Sequence, residues 1–484
     1  MRKPILLIVL PLLLASCGQP KGEQASFVIK DPVTISLWSL TDEKYQPTLN
    51  RFIAEFEALE PNVTILSKIL NGSYNNLSEG VLTGFGLDNY PDLAQCYPDH
   101  VVNYLGANKV IELGRFYNDS VYGFSDEDKS DYIQSFFDEG RNYTKAGLYS
   151  LPWNKSTEVM FYNEDKLLGL DLSAYDPSIN GGQPLTEDYF AAITWEEMFD
   201  KLCPAIEAYN EAHDHSLYTL DGHGMGGILA YDSDENLFIT MMVQYGAGYV
   251  SIDPSTGIGS IDFNNANAKA LLKKFHLAHK NHYLITKESY GDYTSALFTA
   301  NHALFAVSSN TGASYNFDSA NPVNVGVTRI PHAQGRSPTA INQGPSLCLL
   351  THQADDPANA ARRAEASWLF YKYLTNKENS LTWSLNTDYL PVRQSVYASD
   401  AFQEASTLEG KEPKTYARLK AKTIQMCSAI SEELFSTPTF RGSSTARSQA
   451  KELIKWALST NDYDGEVDER FNDAEQSIIN AMED

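Results

Sequence analysis

Three short stretches carry side chains suited to gripping a small polar molecule. The first is Pro152-Trp153-Asn154-Lys155-Ser156-Thr157-Glu158, whose amide, ammonium, hydroxyl and carboxylate groups run directly into the apolar Val159-Met160-Phe161-Tyr162-Asn163. The second, Ser308-Ser309-Asn310-Thr311-Gly312, supplies hydroxyls and backbone N–H groups after an apolar run, donors that suit sugar hydroxyls or a phosphate. The third is Thr439-Phe440-Arg441-Gly442-Ser443-Ser444-Thr445, in which the Arg441 guanidinium can meet a phosphate through two parallel hydrogen bonds. All three point to binding rather than bond-breaking. The chain has no G-x-S-x-G elbow, no H-E-x-x-H and no Walker loop. A paired-carboxylate glycosidase is harder to exclude, because two acids such as Asp99 and Glu158 can be brought together from anywhere in a sequence holding 62 of them.

Metal and cofactor chemistry find little support. His276, His279 and His282 recur every third residue, but positions six apart drift off one helix face and no acid completes a set, so a solvated face is expected. Cys96, Cys203, Cys348 and Cys427 show no C-x-x-C spacing. Whether any of them pair is not fixed by the sequence. The expectation is therefore no metal and no cofactor.

The elements that position these stretches read as alternating strands and helices. Asp31 to Ser39 is a β-branched strand pattern, and Leu49, Phe52, Ile53 and Phe56 fall at helix spacing before Pro61. Val63 to Leu66 is the next strand. The β-α-β opening predicts a parallel sheet with helices on its faces. Asn71-Gly72-Ser73-Tyr74 follows as a turn where open α/β sheets bind ligands, so Tyr74 becomes a candidate. Pro91 to His100 repeats the theme, and Asp99 either faces a ligand or caps the helix Val101–Leu105. Thr194 with Glu197 has capping-box spacing. Gly222 to Gly227 lacks the order of a phosphate loop and reads as a turn. Thr375 and Glu378 are expected to cap a later helix.

At 484 residues the chain has room for two or three domains. Its formal charge of −25 makes a nucleic-acid surface improbable, and any anionic ligand needs a local set of donors against that field. Arg2 and Lys3 precede the apolar run Ile5 to Leu14, which ends in Leu14-Ala15-Ser16-Cys17. The run is a secretory signal too short to span a membrane. Its ending resembles the bacterial lipobox, which implies cleavage after residue 16, lipid on Cys17 and a tether over 17–26.

The sequence resembles the extracellular solute-binding proteins of ABC importers, in the group that includes the maltose- and glycerol-3-phosphate-binding proteins. The opening strand and helix, Tyr90-Pro91-Asp92 to Tyr97-Pro98-Asp99, the Leu151 to Asp165 stretch and Thr194-Trp195-Glu196-Glu197 carry that resemblance. It implies an α/β, two-lobed periplasmic-binding-protein-like fold (type II), with lobes of residues 27–158 plus 304–350 and 160–303 plus 351–484. Ser156 would touch ligand while Val159 to Tyr162 cross the hinge, and the chain would cross again near residue 304. The resemblance further implies Ser308, Ser309, Gly344 and Tyr389 as ligand contacts, Tyr231 as an aromatic from the second lobe, and Arg441 at a phosphate. Asp388 stands where the family pattern has Gly. The implied protein is a monomer that captures glycerol-3-phosphate, a glycerophosphodiester or a carbohydrate by hinge closure and passes it to a membrane permease. A lipid-anchored glycoside hydrolase and a sugar-binding adhesin are the alternatives.

Overall fold

The computed structural model describes residues 28–253, 255–352 and 356–483. The signal stretch, Cys17 and the tether lie outside these residues. The strands are β1 (Val33–Ser39), β2 (Val63–Ile69), β3 (Leu93–Cys96), β4 (Leu151–Pro152), β5 (Ser156–Asn163), β6 (Leu229–Tyr231), β7 (Val250–Ile252), β8 (Gly259–Ile261), β9 (Leu284–Thr286), β10 (Phe305–Ser309), β11 (Val325–Thr328), β12 (Ala340–Gln343), β13 (Ser346–Leu349) and β14 (Leu434–Phe435). They form two main sheets. The first has the order β2-β1-β3-β13-β4, the second β14-β12-β5-β10-β6-β9 with β11 also on β5, and β7–β8 is a separate hairpin.

The opening follows from its residue pattern. β1 pairs parallel with β2, Val33 opposite Val63, and the helix Gln46–Leu59 buries Leu49, Phe52, Ile53 and Phe56 on one stripe. Alternation then splits the first sheet between two cores. Ile35, Leu37, Leu93 and Leu349 point to one, while Trp38, Ala94, Cys96 and Cys348 point to the other, which the helix Tyr74–Leu87 covers with Leu77 and Val81.

The second sheet is built around β5, all eight residues of which are buried. Met160 and Tyr162 join the second lobe's core, whereas Val159 and Phe161 turn to the core that also holds Trp368, Leu419 and Cys427. A one-residue slip would exchange every one of these contacts. The partners of β5 come from far along the chain: β10, β11 and β12 all run antiparallel to it.

This arrangement corrects the expected lobe boundaries. Phe305–Ser309 lies inside the second sheet, so the chain does not return to the first lobe near residue 304. It returns at Gly344-Pro345, between β12 and β13. Val159 to Tyr162 likewise belong to the second sheet, and the first crossing is the short Trp153–Lys155 link between β4 and β5. The helices Pro357–Leu374 and Lys377–Thr387, expected in the second lobe, pack instead against β1 and the helix Gln46–Leu59. The helix Tyr416–Ala429 already packs on β11 and β5 of the second sheet, and from about residue 434 the chain rejoins the second lobe's core, which the helices Ser443–Ser459 and Tyr463–Glu483 close. The boundaries are set by antiparallel pairing across long sequence separations, which local periodicity does not encode.

Smaller expectations meet mixed outcomes. Thr194 Oγ1 accepts from Glu197 N at 3.1 Å, one half of the capping box that its spacing predicts. The helix after Leu374 is capped by Asn376, not Thr375. Asp99 sits in the first turn of the helix Pro98–Gly106 and does not cap it, because that helix starts earlier than its apolar pattern suggests. Asp388 takes the left-handed conformation at φ +63°, which a short polar side chain tolerates, and thus does the work of the Gly it replaces. His276 is buried with Nδ1 2.7 Å from the Ala457 carbonyl oxygen, so the solvated face expected for the three histidines fails there. Among the described residues no cluster of His, Cys, Asp or Glu has metal-binding geometry. Cys96, Cys203, Cys348 and Cys427 are all free and buried, and among the described residues no helix is long and apolar enough to cross a membrane.

Candidate functional site

The chain's crossings between the sheets converge on one polar seam. Lys155, completely buried in the first crossing, makes an ion pair with Glu139 and donates to the Gly344 carbonyl at 3.2 Å in the second. Glu139 also accepts from Asn342 Nδ2 and Ser346 Oγ, each at 3.3 Å, and Asn342 reaches Ser436 on the chain's way back to the second lobe. Gly344 adopts φ +89°, and a Cβ there would stand 1.8 Å from the Asn154 carbonyl oxygen. Only glycine lets the two crossings lie this close.

In front of this seam the sheets wall two adjoining cavities of about 890 Å³ and about 520 Å³. Tyr74, Tyr97 and Tyr389 from the first lobe, Tyr293, Glu235 and Arg447 from the second, and Thr311 and Tyr315 from the segment after β10 border both. Tyr74 meets Tyr97 edge to face at 5.0 Å. Trp383 closes the larger cavity's floor and is fixed by stacking on Trp153 at 5.2 Å and by donating to Asn154 Oδ1 at 2.7 Å. The larger cavity holds Asp42, Glu43 and Asp99 as well as Lys451; the smaller holds Glu158, Asp232 and Lys287. Acids thus outnumber cations around the two cavities.

Arg447 is the cation that borders both cavities. It lies on the helix Ser443–Ser459, in line with Ser444, Ser448 and Lys451 on the face turned to the larger cavity. Asn236 Oδ1 accepts from its guanidinium, and Glu235 stands 3.9 Å away. Glu158, 1% exposed on β5, accepts from Tyr231 OH at 2.5 Å and from Asn236 Nδ2 at 3.0 Å. Burial pushes its carboxyl up to about 7, against the lowering effect of these two bonds. His100, buried beside Asp99 with Nε2 3.1 Å from Asn75 Oδ1, is held below the ordinary histidine range by desolvation.

Several expected ligand residues meet at these cavities. Tyr74, Ser156, Ser308, Ser309, Gly344 and Tyr389 line the smaller one, and Asp99 the larger. Some also have structural work. Ser309 accepts from Thr311 N in the 3-10 turn Asn310–Gly312, and Ser308 Oγ accepts from Asn316 Nδ2 at 3.0 Å. Two assignments are corrected. Tyr231 is fully buried on β6, its hydroxyl committed to Glu158, so it is not a stacking platform. Arg441 is exposed in the turn before the helix and borders neither cavity; the guanidinium that does belongs to Arg447. The helical spacing of Ser444, Arg447, Ser448 and Lys451 was the sequence signal for it. Asp99 and Glu158 do not form a bonded pair: they border different cavities, and both oxygens of Glu158 are occupied.

Residues 52–410 match the bacterial extracellular solute-binding protein family. The chain is 22% identical over 378 residues to the sn-glycerol-3-phosphate-binding periplasmic protein UgpB of Salmonella typhimurium, covering 75% of each. Among solved structures it resembles Mycobacterium tuberculosis UgpB in complex with glycerophosphocholine, with a TM-score of 0.67, 14% identity and coverage of 94% of this chain and 99% of that one. It also resembles the cyclic α-maltosyl-1,6-maltose binding protein of Arthrobacter globiformis, with a TM-score of 0.64, 16% identity and coverage of 93% and 99%.

Proposed function

Because the chain belongs to the bacterial extracellular solute-binding proteins, we propose that it captures a zwitterionic glycerophosphodiester between its lobes and delivers it to a membrane ABC permease. The observation that carries this reading is the placement of Arg447, a cation shared by both cavities and surrounded by acids and tyrosines. A phosphodiester brings one negative charge to the guanidinium. The ammonium at its other end suits the tyrosine faces and the carboxylates of Asp42 and Glu43. A free glycerol phosphate brings up to two negative charges and nothing to answer the acids, so it ranks lower. The relatives named above include proteins whose names record glycerol-3-phosphate and glycerophosphocholine.

Binding works by closure. Tyr74, Tyr97 and Tyr389 belong to one lobe and Arg447, Glu235 and Tyr293 to the other, so a ligand touching both sets favours the closed form by its preference for that form. The protein performs no chemistry on its cargo and is held at the membrane by lipid on Cys17; Cys17→Ala is expected to abolish incorporation of labelled fatty acid into the protein.

A second reading, a neutral oligosaccharide, draws on the size of the larger cavity, about 890 Å³, and on its tyrosine-rich walls. Calorimetry with glycerophosphocholine, sn-glycerol 3-phosphate and maltotriose separates the two. The phosphodiester is expected to bind tightest, and Arg447→Ala to weaken it by roughly tenfold to a hundredfold, the loss of a charged hydrogen bond. Tight maltotriose binding that survives Arg447→Ala gives the site to sugars.

A further inference from the structure

Glu158 lines the smaller cavity, and among the described residues no cation is hydrogen-bonded to its carboxylate. Its two partners are the neutral donors Tyr231 OH and Asn236 Nδ2. Because Asn236 spends its amide hydrogens on Glu158, its carbonyl oxygen faces Arg447 and accepts from that guanidinium. The result is a chain of hydrogen bonds from β6 through β5 to the helix that carries the shared cation. We propose that Glu158 is a positioning and specificity residue: it holds Arg447 in place through Asn236, and the presence or absence of its charge sets how strongly the cavity takes an anionic group.

The groups that bear on that charge come from three elements. Tyr231 comes from β6, Glu235 and Asn236 from the helix Asp234–Tyr245, and Arg447 from Ser443–Ser459. Ser309 stands opposite on β10, and Asp232 and Lys287 line the same cavity. Glu235 and Arg447 are each about a third exposed, so water screens their pair. Glu158 is screened far less, since it is 1% exposed. Its carboxyl, pushed up to about 7 by burial, changes charge in the range where such a protein works. When protonated, it leaves the arginine's field to the ligand. When ionised, it competes with an anionic ligand for that field.

The inference rests on the phosphodiester reading, and its test keeps the two apart. Glycerophosphocholine affinity of the wild-type protein is expected to fall about threefold to tenfold from about pH 6 to about pH 8, while maltotriose shows no such slope. Glu158→Gln keeps an acceptor oxygen for Asn236 Nδ2 and turns an N–H toward the Tyr231 phenol oxygen, which must then accept rather than donate, and it removes the charge, so its affinity for glycerophosphocholine should stay level across that range. Tyr231→Phe removes a bond that favours the carboxylate and should move the midpoint of the slope to higher pH. A purely structural Glu158 predicts none of these pH effects. A slope that persists in Glu158→Gln overturns the proposal. The Glu158 carboxyl ¹³C resonance, identified by its loss in that variant, reads the same charge without ligand; titration in the ordinary glutamate range overturns the proposal even if glycerophosphocholine does not bind. Absence of glycerophosphocholine binding at every pH sinks the ligand reading instead.

Discussion

Glu139 and Glu158 lie on either side of the first crossing, and both are nearly inaccessible, at 7% and 1%. Their partners differ. Glu139 has the ammonium of Lys155 plus Asn342 and Ser346, whereas Glu158, among the described residues, has a phenol and an amide. Desolvation penalises both carboxylates; a buried cation answers it for one, and two neutral donors answer it partly for the other. The difference divides the labour of the cleft. The fully paired acid fixes the place where the crossings meet, and the underpaired acid lines the smaller cavity, where a change of charge is not answered by a bonded cation.

The largest effect should come from breaking the fixed pair. Lys155→Met strands the Glu139 charge and is expected to cost about 3–5 kcal/mol in denaturant titration, with most of it restored when Glu139→Gln is added. Replacing the other acid should act in the opposite direction. The folded protein holds the Glu158 proton up to about 7, against an ordinary value of 4.5, so wild-type stability falls as pH rises through that window. Glu158→Gln should therefore gain up to about 3 kcal/mol above the window and nothing below it, read as melting temperature against pH. If Glu139→Gln alone also stabilises at high pH, the contrast between the two acids collapses.

A smaller effect tests the backbone of the same junction. Gly344→Ala places a methyl against the Asn154 carbonyl and a non-glycine residue at positive φ, for a loss of about 2 kcal/mol in the same titration. The smallest belongs to the solvent-exposed rim. Lys44 bonds Ser314 and Tyr315 in the open, at 3.3 and 3.4 Å, so Lys44→Ala should stay within about 0.5 kcal/mol of wild type.

What was legible in the sequence divides along similar lines. Local signals read well: the β1-helix-β2 opening, the Thr194 cap, and the polar stretch before β5 all depend on neighbours a few residues away. Ser156, Tyr74 and Tyr389 could be placed at one cavity because each follows a recognisable strand, turn or family motif. The loop motif that singles out Arg441 ends in the first turn of the helix Ser443–Ser459, whereas the cavity is reached by Arg447 on that helix's own face, outside the motif. Tyr231 looked like a platform since sequence cannot tell a tyrosine facing ligand from one anchoring a buried acid. The Glu139–Lys155 pair was invisible for a different reason: its meaning depends on Gly344, Asn342 and Ser436, which approach only after the chain has crossed between lobes.

The position of β5 has a consequence for how the molecule is made. This central strand is complete at residue 163, but its sheet partners begin only at residue 305. During synthesis the second sheet has no centre to assemble on until most of the polypeptide is available, and contacts so distant along the chain close slowly. A polypeptide built this way stays threadable for a long interval after it starts to emerge. For an exported protein that delay is useful, since the chain can be drawn across the membrane before its interior locks.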